Sequence, residues 1–297
     1  DGTVKISGID YGLGNLCQGS LASVTVATPV DVGLTDIVDI HAGNATSFFV
    51  KKDGSLWYCG LHPVTRGRIP TPTPLPEAIG HMVQHVVSAN QTVFFSTKPN
   101  GLYQVGYGAP TVTQALSQRI DQLDAGDGHI IALSGGYMFG YGDSTYGQLG
   151  VSGTLATFTQ LNPGGRLTAA AKVVADGYGT IYKDAVAGGW FAMGRNNYGM
   201  FGPSARDYNF TPVSLGSDFV DMALSGSQTL TGVKADGTVW GIGWHNYIGA
   251  GAYNLGTTWF KFPNWPVQSA STPVAMFNSR SPTLTCLPSA APMASKA

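Results

Sequence analysis

The sequence predicts an all-β chain assembled from repeated units, and three observations predict it. The first is a glycine-punctuated stretch, GYGDSTYGQLG (Gly140 to Gly150), whose spacing returns as GRNNYGMFG at Gly194 to Gly202 and more faintly as GWHNYIGAG at Gly243 to Gly251. The second is that each copy follows two short β-prone runs joined by a turn such as Asp53-Gly54, Asn100-Gly101 or Asp236-Gly237. Such turns tolerate positive φ and are the strongest short-range signal for a hairpin. The third is composition. Of 17 acidic residues only Glu77 is glutamate, and glycine reaches 41 of 297 residues, so strong helix formers are scarce.

Each unit reads in the same order. A short apolar strand comes first, as in DIVDI (Asp36 to Ile40) and DFVDM (Asp218 to Met222). A small-residue turn leads to a polar residue at Thr46, Thr92, His129, Thr180 or Thr229, and a second strand follows. After the hairpin turn a third apolar run ends on a recurrent glycine, at Gly8, Gly60, Gly106, Gly142, Gly194 and Gly243. The spacing is roughly 50 residues, with three or four short strands per unit, which is the signature of a β-propeller blade. The count gives about six blades, with seven as the alternative. The step from Gly106 to Gly142 is the shortest and marks a trimmed unit.

The units fall near residues 1–20 with 274–289, 35–63, 81–108, 120–150, 170–202 and 218–251. Together they form one domain over 1–289, with 290–297 as a tail. The chain starts inside a unit, at Asp1-Gly2, and Val274 to Ser289 reads as an upstream half without a partner. Pairing that half with the N-terminal strand would close the ring and leave no bare sheet edge. The start at Asp1 rather than Met indicates a processed protein or a piece of a longer one.

On GYGDSTYGQLG and AGDGHIIAL (Ala125 to Leu133) the units resemble the regulator-of-chromosome-condensation repeat. The resemblance implies a propeller whose rims bind partners; the family's best-known members have seven blades. Its nucleotide-exchange members carry basic segments, and its ultraviolet-sensing plant members carry Gly-Trp-Arg-His-Thr clusters; neither occurs here. Its secreted bacterial members that inhibit β-lactamase through aromatic rim residues are the nearer chemical analogy.

Charge excludes further classes. Charged residues are 11% and the net charge is −1, with no basic or acidic run, which argues against nucleic acid and against anionic membrane. No 18-residue apolar stretch is present to cross a membrane as a helix. GYGDSTYG lacks the Lys-Ser/Thr ending of a phosphate loop. His81 and His85 lie on a strand by the repeat register, where four residues span roughly 13 Å and cannot grip one metal. No nucleophile elbow and no calcium loop is present. No catalytic residue, cofactor or metal is therefore expected. Of the sequons at Asn44, Asn90 and Asn209, the first two coincide with the repeat's turn position and read first as structural. Three cysteines, Cys17, Cys59 and Cys286, are read as buried or free thiols, with Cys17–Cys286 the one bridge considered.

Two segments stand outside the repeat. His62 to Gly80 is Pro-rich and reads as an extended loop between blades. His245 to Pro266 carries Tyr247, Tyr253, Trp259, Phe260, Phe262 and Trp265; with Trp244, Tyr208 and Phe210 these are the candidate partner-binding residues. The functional expectation is a non-catalytic protein- or glycan-binding module on an extracellular or virion surface, such as a tail-fibre or decoration protein, docking a protein, a cell-surface glycan or neighbouring subunits. Alternatives are a secreted inhibitory propeller and a glycan-acting enzyme; the enzyme would show clustered Asp residues with perturbed pKa values.

Overall fold

The computed structural model describes residues 2–43, 45–165, 167–203, 205–226, 228–244 and 255–262. The fold is a six-bladed β-propeller. Among the described residues the first blade contributes β1 (Lys5–Tyr11) and β2 (Ser23–Asp31). The second is β3 (Ile37–Gly43), β4 (Thr46–Lys51), β5 (Leu56–Leu61) and β6 (Arg68–Pro74). The third is β7 (Val83–Ala89), β8 (Thr92–Thr97), β9 (Leu102–Gly106) and β10 (Ala109–Leu116). The fourth is β11 (Gln122–Ala125), β12 (His129–Ser134), β13 (Tyr137–Asp143) and β14 (Thr154–Leu161). The fifth is β15 (Ala170–Asp176), β16 (Gly179–Asp184), β17 (Trp190–Arg195) and β18 (Tyr208–Gly216). The sixth is β19 (Phe219–Ser225), β20 (Thr229–Lys234), β21 (Val239–Trp244) and β22 (Leu255–Lys261). Every sheet is antiparallel with strands in chain order, so β3, β7, β11, β15 and β19 lie innermost, each against the next. The expected closure through 274–289 lies outside the described residues.

Each apolar cluster sits between two consecutive blades. Phe48, Leu56 and Tyr58 of the second blade meet Val86, Val93 and Phe95 of the third, and Ile181 and Trp190 of the fifth meet Phe219 and Leu230 of the sixth. No blade can bury its faces alone, which is why stacking of repeats makes the core.

The recurrent glycine has a steric cause. Gly194 lies opposite Gly179 at φ 108°, and a Cβ there would land on the carbonyl of Tyr178. The next residue, Arg195, donates its N–H to that same carbonyl at 2.9 Å. Gly142 repeats the arrangement over the carbonyl of Gly128, with Asp143 as donor at 2.8 Å. The close approach fixes where the third strand turns into its outgoing loop.

That loop is the Tyr-Gly segment, and it plugs the seam to the next blade. Two residues beyond the glycine, a buried side chain caps it. Asp10 accepts from Leu13 N–H at 2.7 Å, Ser144 from Leu149 N–H at 3.0 Å and Asn196 from Phe201 N–H at 2.7 Å. The apolar residue so presented is buried: Leu149 against Tyr182 and Met193 of the fifth blade, and Phe201 against Leu230 and Ile242 of the sixth. In the third blade the loop shrinks to the turn Tyr107-Gly108 between β9 and β10, so the short step trims a loop and keeps all four strands. Phe94, Tyr141 and Phe158 fill the vacated seam, with ring centroids 5.2–5.8 Å apart.

Two sequence expectations are corrected. Arg68–Pro74, read as loop, is the outer strand β6; an outermost strand has a free edge, where proline's missing N–H costs nothing. The cysteines are also not all free thiols. Cys17, in the first blade's plugging loop, is bonded to Cys59, which precedes Gly60 on β5, with Cα atoms 5.5 Å apart. The bridge lies in the seam between the first and second blades, packed with Ile6, Leu16 and Phe49. Cys286 lies outside the described residues.

Candidate functional site

The inner strands expose an unpaired edge towards the axis, whose N–H groups need partners. Polar side chains from the preceding blade supply them. Ser88 N–H donates to His41 Nε2 at 3.0 Å, Val173 N–H to Gln122 Oε1 at 3.0 Å and Ala175 N–H to Asp124 Oδ2 at 3.0 Å. Gly226 N–H donates to Asp176 Oδ2 at 2.8 Å. Side-chain pairs complete the belt: His85 with Asp39 at 3.4 Å and Lys172 with Asp221 at 2.5 Å. His85 is thus engaged at the axis, while His81 packs on Phe95 and Tyr103, and no metal-ligating group of three occurs among the described residues.

Burial sets the protonation of the belt. It lowers His41 to about 4, opposed by the charge of Asp39, and the Ser88 N–H donated to its Nε2 also favours the neutral ring. Burial lowers His129 to about 4 as well. His129 Nε2 lies 2.9 Å from Thr180 Oγ1, and the charge of Asp143 and the backbone of Gly179 oppose the lowering. Burial raises Asp124 to about 7, opposed by the N–H groups of Ala175 and Ala125 and aided by the charges of Asp176 and Asp39.

The two imidazoles contribute stability that is present above their ordinary value of 6.5 and lost as pH falls towards about 4. Asp124 acts oppositely: its contribution is present below the ordinary 3.8 and lost as pH rises through about 7. From pH 6.5 to 4, therefore, two losses are set against one gain. Asp124→Asn removes the gain, so the variant's unfolding temperature should fall more steeply than wild type's over that range. Thermal unfolding from about pH 8 to 4 checks this; parallel curves would overturn it.

The rim carrying the plugging loops holds the candidate site. At its centre a cavity of about 610 Å³ opens, lined in part by His41, Arg66, Asn90, Gln91, Asp127 and Asp176. Around it the tyrosine of the Tyr-Gly segment lies on the next blade. Tyr146 contacts Tyr178 and Tyr208, both at 5.1 Å, with the Arg195 guanidinium 5.5 Å from its ring centre. Tyr198 stacks on Trp244 at 5.0 Å and 5°. Tyr11, Tyr107, Tyr208 and Phe210 are exposed.

The structure therefore brings Tyr208 and Trp244 to one rim, with Phe210 two residues along β18. It places Trp259 and Phe260 on the outer strand β22, not in an irregular loop; Trp259 packs on Phe219 at 4.4 Å, and Phe260 meets Phe262 at 5.6 Å. Tyr247, Tyr253 and Trp265 lie outside the described residues, as does the sequon residue Asn44. Asn209 is buried, donating to the carbonyls of Gly194 and Arg206, and serves structure. Sequence reasoning missed Tyr146, Tyr178, Tyr198 and the cavity. The repeated Tyr-Gly dipeptide was the available signal for the tyrosines.

Repeated radial sheets, seams plugged by Tyr-Gly loops and a recessed axial mouth make a six-bladed β-propeller whose fold matches regulator-of-chromosome-condensation-like structures. No family model and no curated protein matches the sequence. Solved structures do match in shape. Prp20 of Saccharomyces cerevisiae superposes with a TM-score of 0.72 at 14% identity, over 86% of this chain and 71% of that one. That protein is described with its binding properties to Gsp1p and histones, and it is bound to Kap60 in a second structure (TM-score 0.72, 15% identity, 90% and 73% coverage). Human WBSCR16 superposes with a TM-score of 0.69 at 16% identity, over 82% and 75%. At these identities the likeness is one of fold.

Proposed function

We propose that the protein is a non-catalytic binding module that docks a protein partner on the rim bearing the Tyr-Gly loops. The carrying observation is the twice-repeated seating of a loop tyrosine on an aromatic or arginine of the next blade, Tyr146 on Tyr178, Tyr208 and Arg195, and Tyr198 on Trp244. Rigid tyrosine and tryptophan faces bordered by arginine are the residue types that dominate binding energy at interfaces. Protein binding by Prp20, a protein of the same fold, supports the reading.

Asp124, raised to about 7 among other carboxylates, is the feature that would favour an enzyme. Its oxygens accept the N–H groups of Ala125 and Ala175, however, so the carboxyl is spent on joining two blades. The Cys17–Cys59 bridge supports a place outside a reducing cytosol, at an extracellular or virion surface.

A photo-crosslinking amino acid tests the rim. Placed at Tyr208 it should capture a polypeptide partner in the source material; placed at exposed Tyr137, which opens β13 beside the hairpin turn of the opposite rim, it should capture none. Equal capture at both positions, or none at Tyr208, would reject the reading. The native mass separates the locations: a 31.0 kDa monomer excludes a virion component, and recovery only in a megadalton particle supports one.

A further inference from the structure

Resting on the rim reading above, we infer that the axial cavity is a bipolar pocket for a short polypeptide segment carrying one basic and one acidic side chain. The blades distribute charge across its mouth in order. The second blade supplies Arg66, the third the amides Asn90 and Gln91, the fourth Asp127 and the fifth Asp176. Arg66 forms no ion pair among the described residues, so its guanidinium stands available on one wall. On the opposite wall Asp176 is fixed by the N–H groups of Gly177 and Gly226, which hold its charge in place. His41 takes the N–H of Ser88 on its Nε2 and adds no countercharge between the walls. A segment with separated opposite charges satisfies both walls, whereas a singly charged ligand meets repulsion at one of them.

The backbone around this cavity gives an independent indication. Six non-glycine residues adopt positive φ among the described residues, and four of them, Ala45, Arg66, Asn90 and Gln91, line it. In the turn between a blade's first two strands, which holds Ala45 in the second blade and Asn90 and Gln91 in the third, the fifth and sixth blades place glycine at positive φ, Gly177 and Gly226. Holding side chains in left-handed backbone costs stability and gathers at binding sites, where the side chain is what the position is for. Gln91, at φ 67°, is where glycine would relieve strain and remove a pocket wall together.

The probe is the capped tripeptide acetyl-Lys-Ala-Glu-amide, titrated into the intact chain and followed by amide chemical shifts. It should bind with a dissociation constant of about 1 mM, as suits an isolated fragment of an interface. Acetyl-Gln-Ala-Gln-amide, and the Arg66→Gln and Asp127→Asn variants with the charged probe, should each bind at least about fivefold more weakly. Gln91→Gly should raise the unfolding temperature while weakening binding, so its loss of affinity cannot be ascribed to unfolding. Equal binding of the neutral tripeptide, or indifference to Arg66→Gln and Asp127→Asn, would overturn the pocket. If crosslinking at Tyr208 still captures a partner in that case, the pocket assignment fails while the rim reading stands.

Discussion

Gly194→Ala is expected to lower the unfolding temperature by on the order of 10 °C, a loss of about 4 kcal/mol. Two costs combine. At φ 108° an alanine sits in strained backbone. Its Cβ also meets the carbonyl of Tyr178, the Cα of Gly179 at 3.0 Å and the Cα of Gln148 at 3.2 Å, all backbone atoms that cannot rotate away. Gln148 belongs to the plugging loop of the preceding blade, so the substitution presses on a hairpin and on an inter-blade seam together. Gly188→Ala is the control. Gly188 also has positive φ, 70°, but open space around its missing Cβ. It should cost about 1 kcal/mol, the conformational part alone. Similar losses for the two variants by calorimetry would show that the close approach is not what selects glycine at the repeat position.

Breaking the Cys17–Cys59 bridge is the second large effect. The bond closes a sequence separation of 42 residues and ties the first blade to the second, so Cys59→Ser should cost roughly 2–4 kcal/mol. Dithiothreitol should lower the unfolding temperature of the wild-type chain by a matching amount and leave the variant where it was. A wild-type transition insensitive to the reductant would mean the staple is not formed in solution, and would remove the support it gives to an oxidising location. Among the described residues the seam between the fourth and fifth blades is held by packing, Leu149 against Met193, and by the hydrogen bonds to Gln122 and Asp124, so one seam among several can carry a covalent bond without altering the blade.

Much of the fold was legible because its cause is local. The hairpin turns, the polar residue opening each second strand and the glycine closing each third one recur in the chain, and each is dictated by contacts within one unit. Even the trimmed unit between Gly106 and Gly142 was visible, although its reason, a loop reduced to Tyr107-Gly108, was not. The outer strands were missed. TLATFTQL at Thr154–Leu161 and RIPTPTP at Arg68–Pro74 face solvent along one edge, so threonine and proline dilute the alternation that marks a strand.

The all-β class, the repeat length, the hairpins, the recurrent glycine and the low charge can be read from the order of residues alone. Each follows from backbone sterics or composition within about 50 residues of chain. Packing in three dimensions sets the rest: Cys17 pairs with Cys59, Asp124 and His41 serve the free edge of a neighbouring inner strand, and Tyr146, Arg195 and Tyr208 share a rim beside a charged axial cavity. These partners lie one blade away. Their meeting depends on how far each sheet is rotated about the axis, a quantity fixed by the packing of whole blades against one another.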